Sequence, residues 1–206
     1  MEQLLRYFPG LSERQVAQFA QLAPLYSFWN SKVNLIAGSD LIFIYERHVL
    51  HSLSIAKMIE FAPSSRVLDL GTGGGFPGIP LAIYFPDTEF HLIDVNERKT
   101  QVVQTIVLAV GLQNVVIEKI LAEELRNQYD FVVCRAVSSA SNLAQWSGQL
   151  LRTESINDLP NGLLMLKGGD LKGELAEVKS PYHLLPISSF FGERYFEEKY
   201  IVYLYS

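Results

Sequence analysis

The sequence holds a single cysteine, Cys134, among its 206 residues. That excludes an internal disulfide and any metal site built from cysteines alone, and it makes a reducing cytoplasm the plain expectation. No metal site of another kind is expected either. No apolar run approaches the roughly 18–20 residues that a membrane-spanning helix needs. The opening residues MEQLLRYFPG lack a basic start followed by an apolar stretch and a cleavage site, so export is not expected. Basic excess is also missing. The net charge of −5 is awkward for a nucleic-acid partner, because phosphate binding usually shows as surplus Lys and Arg. Any RNA-binding face must then be a local concentration of cations on an acidic body. There is no internal repeat and no low-complexity segment. What the chain does have is apolar material: 49 % hydrophobic residues, ample for the core of one domain with an elaboration.

The elaboration is N-terminal. Residues 1–62 read as a helical cap, and residues 63–206 as the main domain of one compact unit. Ser12 with Gln15 three residues on forms a capping-box start, after which Val16, Phe19, Ala23 and Tyr26 recur at helical spacing. Pro24 is a potential kink in that helix. Asp40 is placed to cap a second helix from Leu41 to about Glu60, ended by Ala62-Pro63. From residue 65 the texture changes to strands at 66–70, 89–94, 114–117, 130–134 and 162–167. Helices near 78–85, 97–110, 139–151 and 170–179 alternate with them. Such alternation predicts an α/β fold with a mostly parallel, doubly wound sheet. The tail differs: Tyr182–Ile187 and Arg194–Leu204 predict an antiparallel hairpin on the sheet edge.

The segment Val67-Leu68-Asp69-Leu70-Gly71-Thr72-Gly73-Gly74-Gly75-Phe76-Pro77-Gly78 carries the strongest signal. It reads as a strand running into a glycine-rich turn and then a helix, a unit that lets a ligand approach backbone closely and aims N–H groups at it. In a doubly wound sheet such a loop sits where ligands bind, beyond the carboxyl ends of the strands. Asp94 ends the next apolar strand, in the position from which a carboxylate accepts both hydroxyls of a ribose. The competing role is a cap on the following helix. Asp69 either shapes the cofactor site or caps a neighbouring loop. Pro77 and Pro80 remove N–H donors where a dinucleotide would place its pyrophosphate, so the expected cofactor is S-adenosylmethionine. Ala122 and Glu123 follow the third strand, from which an acid or a carbonyl can accept from an adenine amine; the alternative is a solvated Glu at a helix start. Arg135 ends the fourth strand beside the expected methyl group; its alternative is a surface ion pair. Cys134 reads as core, since no neighbouring base is evident.

Together with Trp29-Asn30, Asn34-Leu35, Arg47-His48, Leu50, Ser52-Leu53, Arg135-Ala136 and Leu166-Lys167-Gly168, this loop and its Gly75-Phe76-Pro77-Gly78-Ile79-Pro80 extension closely resemble the bacterial small-subunit ribosomal RNA guanine-N7 methyltransferases, once called glucose-inhibited division protein B. The match runs over nearly the whole chain. The resemblance implies a class I S-adenosylmethionine-dependent methyltransferase, a Rossmann-like sheet with a helical cap. It implies methyl transfer to N7 of one guanine in a conserved loop of 16S rRNA, with 16S rRNA or the small ribosomal subunit as partner. It also implies that Gly71, Phe76, Asp94, Ala122, Glu123 and Arg135 contact the cofactor; Asp69 and Gly73 belong to the same loop. The chain departs from the family at His51 (usually Asp), Val95 (usually Ser) and Cys134 (often Ser).

Guanine N7 carries a lone pair and no proton, so its methylation needs orientation rather than a general base. Arg135 and Lys167 are expected to grip phosphate or the guanine O6 edge, with Arg47 and His48 facing the same pocket. The plainer alternatives are an Arg47 paired with a helix acid and a His48 satisfied in the core. Trp29 reads as a core aromatic before a base-stacking one. A monomer is the default. A methyltransferase of this fold acting on another substrate, or a non-catalytic ribosome-binding module, are the competing functions.

Overall fold

The computed structural model describes residues 1–135 and 138–205. Ala136, half of the Arg135-Ala136 pair singled out above, lies outside the described residues.

A short helix α1 (Glu2–Tyr7) precedes α2 (Glu13–Asn30). The predicted capping box opens α2: the Ser12 hydroxyl accepts from the Gln15 N–H at 3.3 Å, and the Gln15 side chain accepts from the Ser12 N–H at 2.9 Å. The helix continues through Pro24 to Asn30.

The second cap segment is not the single α-helix expected over 41–60. It passes through a 3₁₀ turn at Gly38–Phe43, a π-helical stretch at Tyr45–Leu50, one turn α3 (His51–Leu53) and another 3₁₀ turn at Ile55–Lys57. Local competition for backbone groups accounts for the irregular end. The Ser52 and Ser54 hydroxyls donate to the His48 and His51 carbonyls at 2.6 and 2.7 Å, which suits tight turns more than a regular ladder. Nor does Asp40 cap: its carboxylate accepts from Arg47 Nη1 at 2.6 Å instead.

The main domain follows the predicted alternation: β1 (Arg66–Leu70), α4 (Gly78–Tyr84), β2 (Glu89–Asp94), α5 (Glu97–Val110), β3 (Val115–Lys119), β4 (Phe131–Arg135), α6 (Ala140–Gly148), β5 (Gly162–Gly168) and α7 (Lys172–Ala176). Helix α5 shows why its ends were legible: the Asn96 side chain accepts from the Lys99 N–H at its start, and Gly111 closes it at φ +73°. Its buried Val102, Val103, Ile106, Val107 and Val110 repeat at helical spacing. The tail forms β6 (Tyr182–Pro186) and β7 (Lys199–Tyr205), while Arg194–Phe196 curls into a 3₁₀ turn rather than beginning the strand.

The seven strands run in the order β3-β2-β1-β4-β5-β7-β6. The first five are parallel, and β7 inserts antiparallel between β5 and β6. Strand order therefore reverses between β1 and β4, and a crevice opens beyond their carboxyl ends. One face of the sheet shares a continuous core with the cap, in which Phe19, Leu22, Tyr26, Leu50 and Leu53 pack with Val67, Phe131, Leu164 and Ile201. The other face, with Leu68, Val132, Cys134 and Met165, packs against α6 and α7 through Leu143 and Leu175. Cap and sheet thus bury one another's apolar surface, which sets the cap rigidly over the crevice.

Candidate active site

The loop after β1 turns through positive φ at Gly71 (+69°), Gly73 (+56°) and Gly75 (+92°), which explains why its glycines fall at alternate positions. Beneath it lies Asp69, fully buried. One of its oxygens accepts from the Thr72 hydroxyl at 2.6 Å and from the Gly78 N–H at 2.8 Å, tying the two ends of the turn together. Burial pushes the Asp69 carboxyl up to about 7, against the downward pull of those hydrogen bonds. Asp69 shapes the loop from below and is not part of the cavity wall.

The structure narrows the expectation that this loop presents an array of N–H groups to a ligand, because most of them are spent within the fold. Thr72 donates to the Ile93 carbonyl, Gly75 and Phe76 to the Thr72 carbonyl, Gly73 to Asp94 and Gly78 to Asp69. Pro77 has no N–H to give. Donors consumed in this way cannot cradle a pyrophosphate.

The loop walls a cavity of about 590 Å³, within the range of small-ligand sites. Of the residues expected to hold the cofactor, Gly71, Gly73, Phe76, Asp94, Ala122, Glu123 and Arg135 all line it. The Asp94 oxygens accept from the Gly73 and Asn96 N–H groups, both at 2.8 Å, and a carboxylate has lone pairs left for two further donors. Leu70, Ile93, Val95 and Leu121 supply apolar wall on that side. A carboxylate at Asp94 with free lone pairs, an apolar slot with Glu123 at its edge and a loop whose N–H groups are mostly spent fit S-adenosylmethionine better than a dinucleotide.

Arg135 closes the opposite side, and the cap supplies its neighbours. Its Nη2 lies 2.8 Å from His48 Nδ1, its Nη1 donates to the Arg47 carbonyl at 3.2 Å, and its guanidinium carbon sits 5.1 Å from the centre of the Phe76 ring. The Arg47 side chain turns away to Asp40 and lies over Phe43, 4.1 Å from that ring's centre. Neither Arg47 nor His48 lines the cavity, contrary to expectation; the Arg47 main chain and the His48 ring hold Arg135 from behind. Lys167 does not join this group. Arg135 pairs in register with Leu166, so Lys167 projects from the other face of the sheet. There its ammonium donates to the Ser138 carbonyl at 2.6 Å and to Glu174 at 2.7 Å.

Several contributors were not expected at the cavity from sequence. Leu35 lines the cavity because Asn30 holds it: the side-chain Oδ1 of Asn30 accepts from the N–H groups of Leu35 and Ile36 at 2.8 and 3.0 Å. The Asn30 and Leu35 motifs were visible, but their link was not. A Cβ on Gly74 would come within 2.8 Å of the Leu35 carbonyl oxygen, so glycine there is required by the closeness of the cap. The Tyr26 hydroxyl donates to the Gly74 carbonyl at 2.5 Å. Lys99 and Trp146 also line the cavity, with no sequence signal to mark them. Trp29 packs partly buried against the core, as expected.

The site carries an unusual load of buried ionisable groups. Burial and the Arg135 charge hold the His48 imidazole down near about 3. Burial and the same cation keep His51, packed edge-on against Tyr195 and Phe196, well below the ordinary histidine value. Groups depressed in the folded state stabilise it above their unfolded value of about 6.5 and lose that contribution as pH falls. Asp69, raised when folded, works oppositely: its contribution is complete below about 3.9 and is lost as pH rises through about 7. Two imidazoles outweigh one carboxyl, so stability from these groups should rise with pH up to about 6.5. Replacing His51 with Phe should reduce that slope by about 1.4 kcal/mol per pH unit, measured as urea unfolding between about pH 5 and 6.5. An unchanged slope would mean that His51 is charged or solvated in the folded protein.

Comparison with known proteins agrees with this geometry. A family model described as GidB, rRNA small subunit methyltransferase G, matches residues 15–191. A protein of Phocaeicola vulgatus named ribosomal RNA small subunit methyltransferase G is 49 % identical over 204 residues, 99 % of this chain and 98 % of that one. One of the same name from Flavobacterium johnsoniae is 45 % identical over 204 residues, covering 99 % of this chain and 97 % of its own. Among solved structures, a SAM-dependent methyltransferase of Aquifex aeolicus superposes with a TM-score of 0.58 at 15 % identity, covering 82 % of this chain and 98 % of that one. A ribosomal protein L11 methylase of Lactobacillus delbrueckii subsp. bulgaricus gives 0.57 at 15 % identity, over 76 % and 77 % of the two chains. These structural likenesses establish the Rossmann-like methyltransferase fold. With a model match over most of its length and near full-length relatives well above 40 % identity, the chain belongs to the rRNA small subunit methyltransferase G family.

Proposed function

We propose that this protein transfers the methyl group of S-adenosylmethionine to N7 of a guanine in the 16S RNA of the small ribosomal subunit. The observation that carries the reading is the convergence of the Gly71–Phe76 loop, Asp94 and Arg135 on one cavity in a chain of this family. Asp94 would take the ribose hydroxyls, Ala122 and Glu123 the adenine edge, and Gly71, Gly73 and Phe76 the remainder of the cofactor. When bound, S-adenosylmethionine supplies a methyl group on a sulfonium, electrophilic enough to be attacked by an aromatic nitrogen lone pair.

The chain's own residues support an acceptor that needs no deprotonation. His48 does not line the cavity and its Nδ1 is engaged by Arg135, and Asp69 is enclosed under the loop. Covalent catalysis through Cys134 is disfavoured, because burial pushes its thiol up to about 12 and its side chain belongs to the core on the other face of the sheet. What remains is placement: holding a lone pair in line with the methyl group. Arg135 has five N–H donors, two of them used by the cap, and would steer a phosphate or a purine O6 by the others. No helix among the described residues is long and apolar enough to cross a membrane.

The test is transfer from labelled S-adenosylmethionine to small ribosomal subunits, followed by nucleoside mapping of the RNA. Label recovered as 7-methylguanosine at one position is the expected result. Label on protein alone, on another nucleoside, or nowhere despite cofactor binding would sink the reading.

A further inference from the structure

We propose that His48 is a positioning residue: a neutral imidazole, protonated on Nε2, whose Nδ1 lone pair accepts from Arg135 and fixes that guanidinium at the cavity wall without neutralising it. The consequence for methyl transfer rests on the function proposed above; the hydrogen bond rests on geometry alone.

A guanidinium only donates, so the 2.8 Å contact between Arg135 Nη2 and His48 Nδ1 requires a lone pair on Nδ1. The imidazole proton is then on Nε2. The nearest acid on that side is Asp40, whose Oδ2 stands 3.5 Å away while its Oδ1 accepts from Arg47 at 2.6 Å. The preceding residue supplies a second hold, because the Arg47 carbonyl accepts from Arg135 Nη1 at 3.2 Å. Two nitrogens of a planar group are thus fixed by consecutive residues of the cap, from a π-helical stretch of a kind often found at functional sites. Phe76 of the glycine loop completes the seat: its ring centre lies 4.9 Å from that of His48 and 5.1 Å from the Arg135 guanidinium carbon.

Among the described residues Arg135 has no carboxylate within ion-pair distance. An Asp or Glu in the place of His48 would hold the guanidinium equally well, but it would cancel the charge that a ligand is meant to meet. A neutral acceptor orients the cation and leaves its field directed into the cavity. The groups that face the imidazole are Arg135 from β4, Arg47 and Asp40 from the cap, and His51 from the next turn. Burial and the two arginines oppose its protonation, and Asp40 favours it, with burial the largest influence. With its lone pair engaged, His48 does not serve as a general base.

The experiment compares the wild-type protein with His48→Asn and His48→Phe. Asn places an amide oxygen close to the position of Nδ1, whereas Phe keeps the ring volume and the contact with Phe76 but offers no acceptor. Loss of one hydrogen bond to a charged group predicts transfer about 30-fold slower for His48→Phe, with His48→Asn within about threefold of wild type. A residue that only fills space would give the reverse order, and a proton-transferring residue would show equal losses in both variants; either outcome overturns the proposal. Nitrogen-15 spectra of the wild-type imidazole read the tautomer without any cofactor. A pyridine-like Nδ1 and a pyrrole-like Nε2, unchanged from about pH 5.5 to 8.5, are expected, and the opposite tautomer or a titration in that range refutes it. Wild-type protein that transfers no methyl group would instead count against the functional reading, with the spectra still deciding the hydrogen bond.

Discussion

Replacing Asp94 with Ala is expected to weaken S-adenosylmethionine binding by about a hundredfold while the protein stays folded. Hydrogen bonds to a charged acceptor are each worth about 1.5–3 kcal/mol net, and a tenfold change in affinity is about 1.4 kcal/mol. Loss of two ribose contacts therefore accounts for the effect with the conservative end of that range. The loop adds to it. Asp94 also takes the Gly73 and Asn96 N–H groups, so the Ala variant removes an anchor of the turn and an acceptor at the start of α5. Asp94→Asn separates the two contributions, since its amide keeps one oxygen for the Gly73 N–H but gives up the second acceptor. Calorimetric titration with S-adenosylhomocysteine should order the proteins wild type, Asn, Ala. Equal affinity across the three would remove Asp94 from the cofactor site.

Arg135→Ala is expected to reduce methyl transfer by about a thousandfold, near the 3–5 kcal/mol cost of deleting one partner from a desolvated charged contact. Truncation removes the cation from the cavity wall and leaves His48 Nδ1 and the Arg47 carbonyl without their donor. The fold should survive, because Arg135 ends β4 and the strand's core residues Phe131 to Cys134 are fully buried without it. Arg135→Lys keeps the charge but not the two-nitrogen fork that His48 and Arg47 engage, so it should recover no more than about a tenth of the wild-type rate. Single-turnover transfer on small subunits, read beside circular dichroism, checks both variants. Normal turnover in Arg135→Ala would take this residue out of the site.

The parts of this protein that were legible in its sequence are those whose shape is decided locally. Strands β1 and β2 were read to the residue, because continuous apolar runs between turn residues leave a buried parallel strand little choice. Helix α5 was read equally well, since Asn96 and Gly111 punctuate it. The cap from Asp40 to Ile59 was not. Its hydrophobic pattern suits a helix, but its serines bond back to its own carbonyls and Asp40 is drawn to Arg47, choices set by partners and crowding rather than by period. Lys167 shows a related limit. It was expected to act beside Arg135, whereas the pleat, which assigns neighbouring residues to opposite faces, sent it to Glu174.

The cofactor side of the site was almost wholly a property of the sequence, because strand, glycine turn and acid are held in order by chain connectivity over some two dozen residues. Even there, which N–H groups remained for a ligand was settled only by folding, since Ile93 and Asp94 of β2 and the buried Asp69 beneath the loop claim several of them. The acceptor side belongs to the tertiary structure. His48 and Arg135 are 87 positions apart, and only the burial of the cap against the sheet brings them within 2.8 Å. The sequence by itself determined that this chain binds a phosphate-free nucleoside cofactor and to which family it belongs. The fold decided how the Arg135 cation is held and why it keeps its charge, because hydrogen-bond partners so distant along a chain are chosen by packing and not by spacing.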